Sequence, residues 1–244
     1  MPLEAELDGL GRAVLETLRA HPEEFGTPRA AQLEAKAPNL PIPAFVLESE
    51  AGLLLGESPA RSLSLAIPVY EAMEGGVWTF GPPFAEAREP RDFLQILVVQ
   101  ASPPASRVAL SRVASLRSLA QRLPGWFAHS EDQRTTARVH RQLLAAGFSQ
   151  SRLADALLAQ AADEGFAGCV AVAAGVPSAR ALELMQPFGE RLAKLKSSLV
   201  PSARTPAGVL EGCEAKDCGT CDEAVVCDKV REVLAADRAK KESR

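Results

Sequence analysis

Four of the five cysteines in this chain fall within one fifteen-residue window near its C-terminus. Their spacing is C-x4-C-x2-C-x5-C, and only Gly219-Thr220 separates the middle pair. Four thiolates this close in sequence can converge on one centre, and a bound metal is the usual reason for that arrangement. The window therefore predicts a metal site whose ligands are Cys213, Cys218, Cys221 and Cys227.

Three kinds of chemistry compete for these cysteines. Two disulfides could join them, but the acidic N-terminus has no signal-peptide pattern, and a cytoplasmic chain keeps its thiols reduced. Structural zinc usually takes two C-x2-4-C pairs around a loop, and here a second C-x2-C pair is missing. An iron–sulfur cluster accepts a C-x4-C-x2-C core with a further cysteine, and four ligands so close together suit a [4Fe–4S] cluster. We expect a [4Fe–4S] cluster and keep zinc as the alternative.

Composition narrows the class of protein that surrounds this cysteine window. A hydrophobic fraction of 47% in 244 residues is ample for a folded core. No apolar run approaches the roughly 18 residues that a membrane span needs. The net charge of −4 gives no support for binding nucleic acid. We expect a soluble cytoplasmic protein, in which the fifth cysteine, Cys169, is a small buried residue of an apolar run.

Apolar periodicity and Gly/Pro punctuation predict an α+β fold, with a small mixed sheet packed against several helices. The strongest strand is expected at 93–99, which is nearly all apolar and should be central in the sheet. The other strands are expected at 44–47 and 52–56, which would form a hairpin, at 63–69, between the Gly75-Gly76 turn and the Gly81-Pro82 stop, and at 169–174. Helices are expected at 3–25, 108–123, 135–146, 151–162, 178–199 and 223–240. Ser149 is expected to cap the start of the helix at 151–162.

Proline-rich stretches divide this pattern into three parts. Residues 1–43 are predicted to be an N-terminal helix followed by a linker with four prolines between residues 27 and 43. Residues 44–200 are predicted to form the α+β domain. Residues 201–244 begin with a second linker and contain the four-cysteine metal-binding segment and a terminal helix.

The middle of the chain contains an ordered set of short motifs that resembles a known family. The motifs are MEGGVWTFGP at 73–82, the strand at 94–99, LPGWFAH at 123–129, Gln133-Arg134, Arg138-Val139 and Ala146-Gly147-Phe148. Together they resemble the middle domain of acetyl-CoA synthase, the β subunit of the CO dehydrogenase/acetyl-CoA synthase complex, over about residues 65–200. The resemblance implies iron–sulfur chemistry, a protein partner in a redox or acyl-CoA complex, and coenzyme A as a candidate ligand. If the chain is an enzyme, the resemblance implies a CO-methylating acyltransferase within such a complex.

Two departures from the family pattern change these expectations. The family binds its nickel through a later Cys-Gly-Cys sequence, but this chain has no such sequence and ends seventeen residues after Cys227. We therefore expect no nickel site built from its own residues. The family also has a Trp two positions before Arg138, where this chain has Thr136, so the expected ring for adenine stacking is missing.

Basic and imidazole side chains are the other candidates for function. The resemblance implies that Arg134, Arg138 and Arg141 bind the phosphates of coenzyme A, because a guanidinium pairs well with phosphate. The alternative is a solvated helix face, since these positions recur every three or four residues. Arg152 is a fourth candidate for the same phosphates, and Lys194 and Lys196 are more remote ones. His129 and His140 could be acid–base groups, but no nucleophile or paired carboxylate is close to them in sequence.

Two further residues receive structural interpretations. His21 precedes Pro22 at a helix end and is expected to be a helix-terminus charge. Trp126 is expected to be a packing anchor. The function that the sequence predicts is an iron–sulfur protein related to acetyl-CoA synthase, in an electron-transfer or accessory role. One alternative is a non-catalytic interaction module with structural zinc, and another is an acyl-CoA-binding subunit of a larger complex.

Overall fold

The computed structural model describes residues 3–30, 45–56, 62–86, 91–102, 106–117, 123–131 and 133–199. Met1–Leu195 form one compact unit and Lys196–Arg244 form a second. The four clustered cysteines, the predicted helix at 223–240 and most of the predicted N-terminal linker lie outside the described residues.

The described residues form a mixed α+β fold with two small sheets and several helices, which confirms the predicted fold class at that level. The helices are α1 (Leu3–Ala20), α2 (Pro22–Phe25), α3 (Ser106–Ser115), α4 (Arg141–Ala145), α5 (Gln150–Asp163) and α6 (Ala179–Leu199). The strands are β1 (Ala51–Leu55), β2 (Ser62–Val69), β3 (Gly76–Phe80), β4 (Phe93–Gln100), β5 (Trp126–Glu131), β6 (Arg134–His140) and β7 (Gly168–Gly175). Short 3₁₀ turns occur at Glu48–Glu50 and Phe84–Glu86.

The larger sheet has four strands in the order β2-β4-β7-β3. β2 runs parallel to β4, β3 runs parallel to β7, and β4 and β7 are antiparallel. Seven of the eight residues of β4 are buried, so the prediction of a central apolar strand is confirmed. A strand that is covered on both faces needs apolar side chains on both, which explains its nearly continuous apolar sequence.

Helices cover both faces of the four-stranded sheet. α1 and α6 pack on one face through glycines: Gly11 lies against Val69, and Gly189 lies against Leu63. The opposite face contributes Ala66 and Leu97 to a core cluster that also contains residues of α3, α5 and the smaller sheet. The main core of the described residues is therefore shared between the two sheets.

The smaller sheet is antiparallel and has the strand order β1-β6-β5. Its strands alternate between a buried inner face and an outer face. The inner face belongs to the shared core and includes Leu53, Leu55, Trp126, Ala128, Ala137 and Val139. Trp126 is fully buried and its ring contacts Phe93 and Phe148, which confirms its prediction as a packing anchor.

Two sequence predictions in this region are wrong. The predicted helix at 135–146 is the strand β6 followed by the single turn of α4. Thr135, Ala137 and Val139 are buried while their neighbours are more exposed, which is a strand period of two, and branched Thr and Val side chains favour strands. The predicted hairpin over 44–56 does not form either, because β1 pairs with β6, about 80 residues later, and Glu48–Glu50 is a 3₁₀ turn.

Several helix boundaries follow from local sequence. The predicted helix at 3–25 is two helices, because His21 precedes Pro22 and adopts φ −125° and ψ 62°, outside the helical region. α5 begins as predicted after Ser149, whose Oγ accepts a hydrogen bond from the backbone N–H of Arg152. The strand predicted at 169–174 is β7, which contains Cys169, but the side chain of Cys169 lies outside the description and its burial stays a prediction.

Candidate functional site

The outer face of the three-stranded sheet carries the candidate site of the compact unit. In β6, Arg134, Thr136 and Arg138 lie on this face because they alternate with buried residues. The register places Arg138 opposite Phe127 of β5 on one side and Leu54 of β1 on the other. Thr136 lies opposite His129 in the same way. An arginine, an aromatic ring, a hydroxyl and an imidazole therefore share one patch of the sheet.

This patch is concave and encloses a space of about 300 Å³. The side chains that line it include Glu48, Leu54, Phe127, His129, Thr136 and Arg138. Arg138 and Phe127 are half-buried, whereas His129 and Thr136 are exposed. A cleft of this kind, with an apolar floor and a few convergent polar groups, has the general character of a small-molecule binding site.

One ion pair sets the electrostatics of the cleft. Arg138 Nη2 lies 3.5 Å from Glu48 Oε2, and the two side chains are 35% and 68% exposed. Because both groups reach solvent, the pair is weak and contributes about 0–1 kcal/mol to stability. The Arg138 guanidinium is therefore held in place only loosely and can exchange its partner for another anion.

The three predicted coenzyme A arginines do not converge on one point. Arg134 is exposed at the start of β6, opposite Glu131, and lies four residues along the strand from Arg138, about 13 Å at the usual strand rise. Arg141 lies in α4, where its Nη2 donates to the carbonyl of Ser49 and its Nε donates to that of Glu50 at 3.4 Å. Only Arg138 lines the cleft, and the alternative interpretation as a solvated helix face is wrong because Arg134 and Arg138 are on a strand.

The remaining candidates lie elsewhere on the unit. Arg152 is exposed on α5 and donates to the carbonyl of Ala146, and Lys194 and Lys196 are on α6. His140 is buried, and its Nδ1 accepts the backbone N–H of Gln142 at 3.1 Å. That bond caps the first turn of α4, so the role of His140 is structural. Of the two candidate acid–base histidines, only His129 faces a cleft.

His21 lies at the N-cap of α2, where its Nδ1 is 3.0 Å from Glu23 Oε1. The pKa of Glu23 is lowered, first by a hydrogen bond to the backbone at the start of the helix and second by the side chain of His21. His21 therefore lies at a helix end as predicted, and its charge stays a prediction. This end is the N-terminus of α2, which carries a partial positive charge, so the carboxylate of Glu23 is the favourable charge there.

Sequence reasoning missed two residues of the cleft, Glu48 and Phe127. Phe127 lies in the segment 126–131, which has no strong apolar alternation and was not predicted as a strand. Its ring packs edge-on against Phe45, with the ring centres 4.8 Å apart. The signal in the sequence was weak, because in 134–139 only Ala137 and Val139 alternate with polar residues.

A second cleft of about 260 Å³ lies at the starts of β3 and β7. The described residues that line it include three glycines and several apolar side chains, and Gln100 is the one polar side chain among them. Three glycines leave room for a ligand, but a single amide gives little chemistry to hold one. The cleft on the smaller sheet is therefore the better candidate.

In the described part of the chain, no group of three or more His, Cys, Asp or Glu side chains could hold a metal ion. The predicted ligands Cys213, Cys218, Cys221 and Cys227 lie outside the described residues, so their assignment stays a prediction. Among the described helices, none is long and apolar enough to cross a membrane. No known protein family matches the sequence, and no curated protein is similar to it.

Proposed function

We propose that this chain is an iron–sulfur protein related to the acetyl-CoA synthase β subunit, with an electron-transfer or accessory role in a redox or acyl-CoA complex. The observation that carries the proposal is the C-x4-C-x2-C-x5-C spacing of Cys213, Cys218, Cys221 and Cys227. Four thiolates are the usual ligand set of a [4Fe–4S] cluster, and a cluster bound there would supply one-electron transfer. The same donors would also suit zinc, which remains the alternative.

The residues beside the cysteines would tune such a cluster. Asp217, Asp222 and Asp228 each lie next to one of the proposed ligands in the sequence. Negative charge near an iron–sulfur cluster disfavours the added electron and lowers its reduction potential. We therefore expect this cluster to be a low-potential donor, whose natural partner is another protein with a redox centre.

Anaerobic purification with metal and sulfide analysis tests the proposal. A brown protein with broad visible absorption and about four irons and four sulfides per chain is expected, since that is the content of a [4Fe–4S] cluster. A colourless protein with one equivalent of zinc would instead support the non-catalytic interaction module. A protein that contains neither metal after anaerobic purification and reconstitution would contradict both assignments.

Coenzyme A binding is a second candidate function, favoured by one feature of the cleft. Thr136 offers no ring for adenine, but Phe127 provides an aromatic ring on the neighbouring strand, directly opposite Arg138. A guanidinium beside a ring suits a ligand that joins a phosphate to a planar base. The family resemblance and the geometry of the cleft therefore point to the same residue, Arg138.

Calorimetric titration with coenzyme A tests this second function. Replacing Arg138 with Ala should cost on the order of 1.5–3 kcal/mol of binding free energy, the range for hydrogen bonds to charged groups. Arg152→Ala is the matched control, because Arg152 is an exposed arginine that donates to Ala146 and does not line the cleft. Equal loss in both variants would mean that only the total charge matters, and no binding by the wild-type chain would remove this function.

A further inference from the structure

Three hydrogen-bond donors share the outer face of β5 and β6 and line the cleft together. His129 of β5 lies directly opposite Thr136 of β6, and Arg138 follows two residues after Thr136 on the same face. The side chains of directly opposite residues start about 5 Å apart, and those of diagonal or alternate neighbours start about 7 Å apart. An imidazole, a hydroxyl and a guanidinium are therefore placed around one point of the cleft.

Each of these three groups can donate a hydrogen bond to a ligand. His129 and Thr136 are exposed, and an imidazole carries at least one N–H in either protonation state. Arg138 Nη2 lies 3.5 Å from Glu48 Oε2, but the Glu48 side chain is 68% exposed and frees the guanidinium by rotating away. Because the pair is weak, this rotation costs little free energy.

Three donors around one point match a terminal phosphate better than a bridging one. A terminal phosphate monoester has three free oxygens and a charge of about −1.5 to −2 at pH 7. Each phosphorus of a diphosphate bridge has only two free oxygens and a single negative charge. Coenzyme A has one terminal phosphate, on the 3′ oxygen of its adenosine, so this phosphate is the better match.

The rest of the cleft suits the adenosine that carries this phosphate. Phe127 lies directly opposite Arg138 and two residues before His129, so its ring borders the three donors. The edge-on contact with Phe45 supports the ring from one side. The enclosed space of about 300 Å³ is at the lower end of the range for ligand pockets, so it suits one end of a ligand as long as coenzyme A.

We propose that His129 and Thr136 complete, with Arg138, a subsite for a terminal phosphate on adenosine, which in coenzyme A is the 3′-phosphate. This inference rests on the second proposed function, coenzyme A binding at Arg138, and adds which part of the ligand the cleft recognises. Thr136 stands where the family has a Trp. In this chain its hydroxyl binds the phosphate, and Phe127 supplies the ring beside the adenine.

Calorimetric titration with coenzyme A and with dephospho-coenzyme A, which lacks the 3′-phosphate, tests the subsite. The wild-type chain should bind coenzyme A at least tenfold more tightly, since one hydrogen bond to a charged group is worth about that factor. His129→Ala and Thr136→Val should each weaken coenzyme A binding about tenfold and leave dephospho-coenzyme A binding unchanged. Valine keeps the branched shape that suits a strand, so only the hydroxyl is lost at 136.

His21→Ala is the matched control for His129→Ala. His21 is paired with Glu23 in α2 and does not line the cleft, so this substitution should leave both affinities unchanged. Equal affinity of the wild-type chain for the two ligands would overturn the subsite and leave coenzyme A binding intact. Equal losses for both ligands in His129→Ala would also overturn it, because the lost contact would then not be with the 3′-phosphate.

Adenosine 3′-monophosphate separates the failure of the two proposals. If coenzyme A does not bind, but this nucleotide binds and loses about tenfold in affinity in His129→Ala, the coenzyme A function is wrong and the phosphate subsite stands. If neither ligand binds the wild-type chain, both proposals are wrong.

Discussion

Replacement of Gly11 by Ala tests how α1 packs on the four-stranded sheet. Gly11 is buried, and a Cβ added there would lie 2.5 Å from Val69 Cγ1 and 3.5 Å from Val98 Cγ1. Carbon atoms in contact normally lie about 3.5–4.0 Å apart, so the first distance is short by about 1 Å. Val69 is β-branched and belongs to a buried strand, which leaves it little freedom to move aside.

Gly9 provides a matched control in the same helix. It is exposed, and nothing lies within 4 Å of a Cβ added there. Both substitutions gain about 1 kcal/mol of helix propensity, so this gain cancels in their difference. What remains is the cost of overpacking at Gly11, typically about 1–3 kcal/mol. We expect Gly9→Ala to be more stable than the wild-type chain, and Gly11→Ala to be less stable than Gly9→Ala by that amount.

Tryptophan fluorescence measures the difference in stability between the two variants in the unit Met1–Leu195, which contains both glycines. The chain has two tryptophans, Trp78 and Trp126, and both are fully buried in the described unit. A gap of about 1–3 kcal/mol corresponds to about 2–12 °C between the melting temperatures of the two variants, given about 2–4 °C per kcal/mol in a domain of this size. Gly11→Ala melting at or above Gly9→Ala would refute the close approach of α1 to the sheet.

Three further predictions use the same protein. Replacement of any one proposed metal ligand by Ser should abolish metal binding and leave the melting temperature, followed by tryptophan fluorescence, unchanged; the ligands are Cys213, Cys218, Cys221 and Cys227. Cys169→Ser should keep the full metal content. Asp8 Oδ1 accepts two backbone N–H groups after β2, so Asp8→Ala should cost about 1–3 kcal/mol in chemical unfolding. Because the pKa of Glu23 is lowered in the folded state, its ionised carboxylate stabilises the fold at pH values above the unfolded-state pKa. This stabilisation is lost as the pH falls through the folded-state pKa. His21→Ala should raise the Glu23 pKa in an NMR titration, and an unchanged midpoint would contradict a contribution from His21.

The sequence alone was sufficient where a structural signal is local and strong. The nearly continuous apolar run of β4 predicted a central strand, because only burial on both faces tolerates such a run. Ser149 predicted the start of α5, because its hydroxyl can satisfy a free backbone N–H of the first turn. The proposed metal ligands also come from the sequence, because four cysteines within fifteen residues can be recognised as a ligand set from their spacing alone.

Tertiary structure decided the smaller sheet and with it the cleft. Residues 134–140 have neither a continuous apolar run nor a turn signal, and their helix-like spacing of arginines suggested α-helix. They form a strand because β1, about 80 residues earlier, and β5 supply pairing partners on both sides. Local propensity is a weak preference that such long-range pairing overrides.

The same physics explains why Arg138, but neither of its neighbours in the cleft, could be recognised from the sequence. Glu48 is 90 residues from Arg138 along the chain, and Phe127 meets it through strand register alone. A basic side chain can be recognised as a candidate ligand from its type, because its charge is an intrinsic property. Which acid occupies it, and which ring lies beside it, depends on the pairing of β1, β6 and β5, which is stabilised by the core beneath the sheet and not by the residues of the cleft.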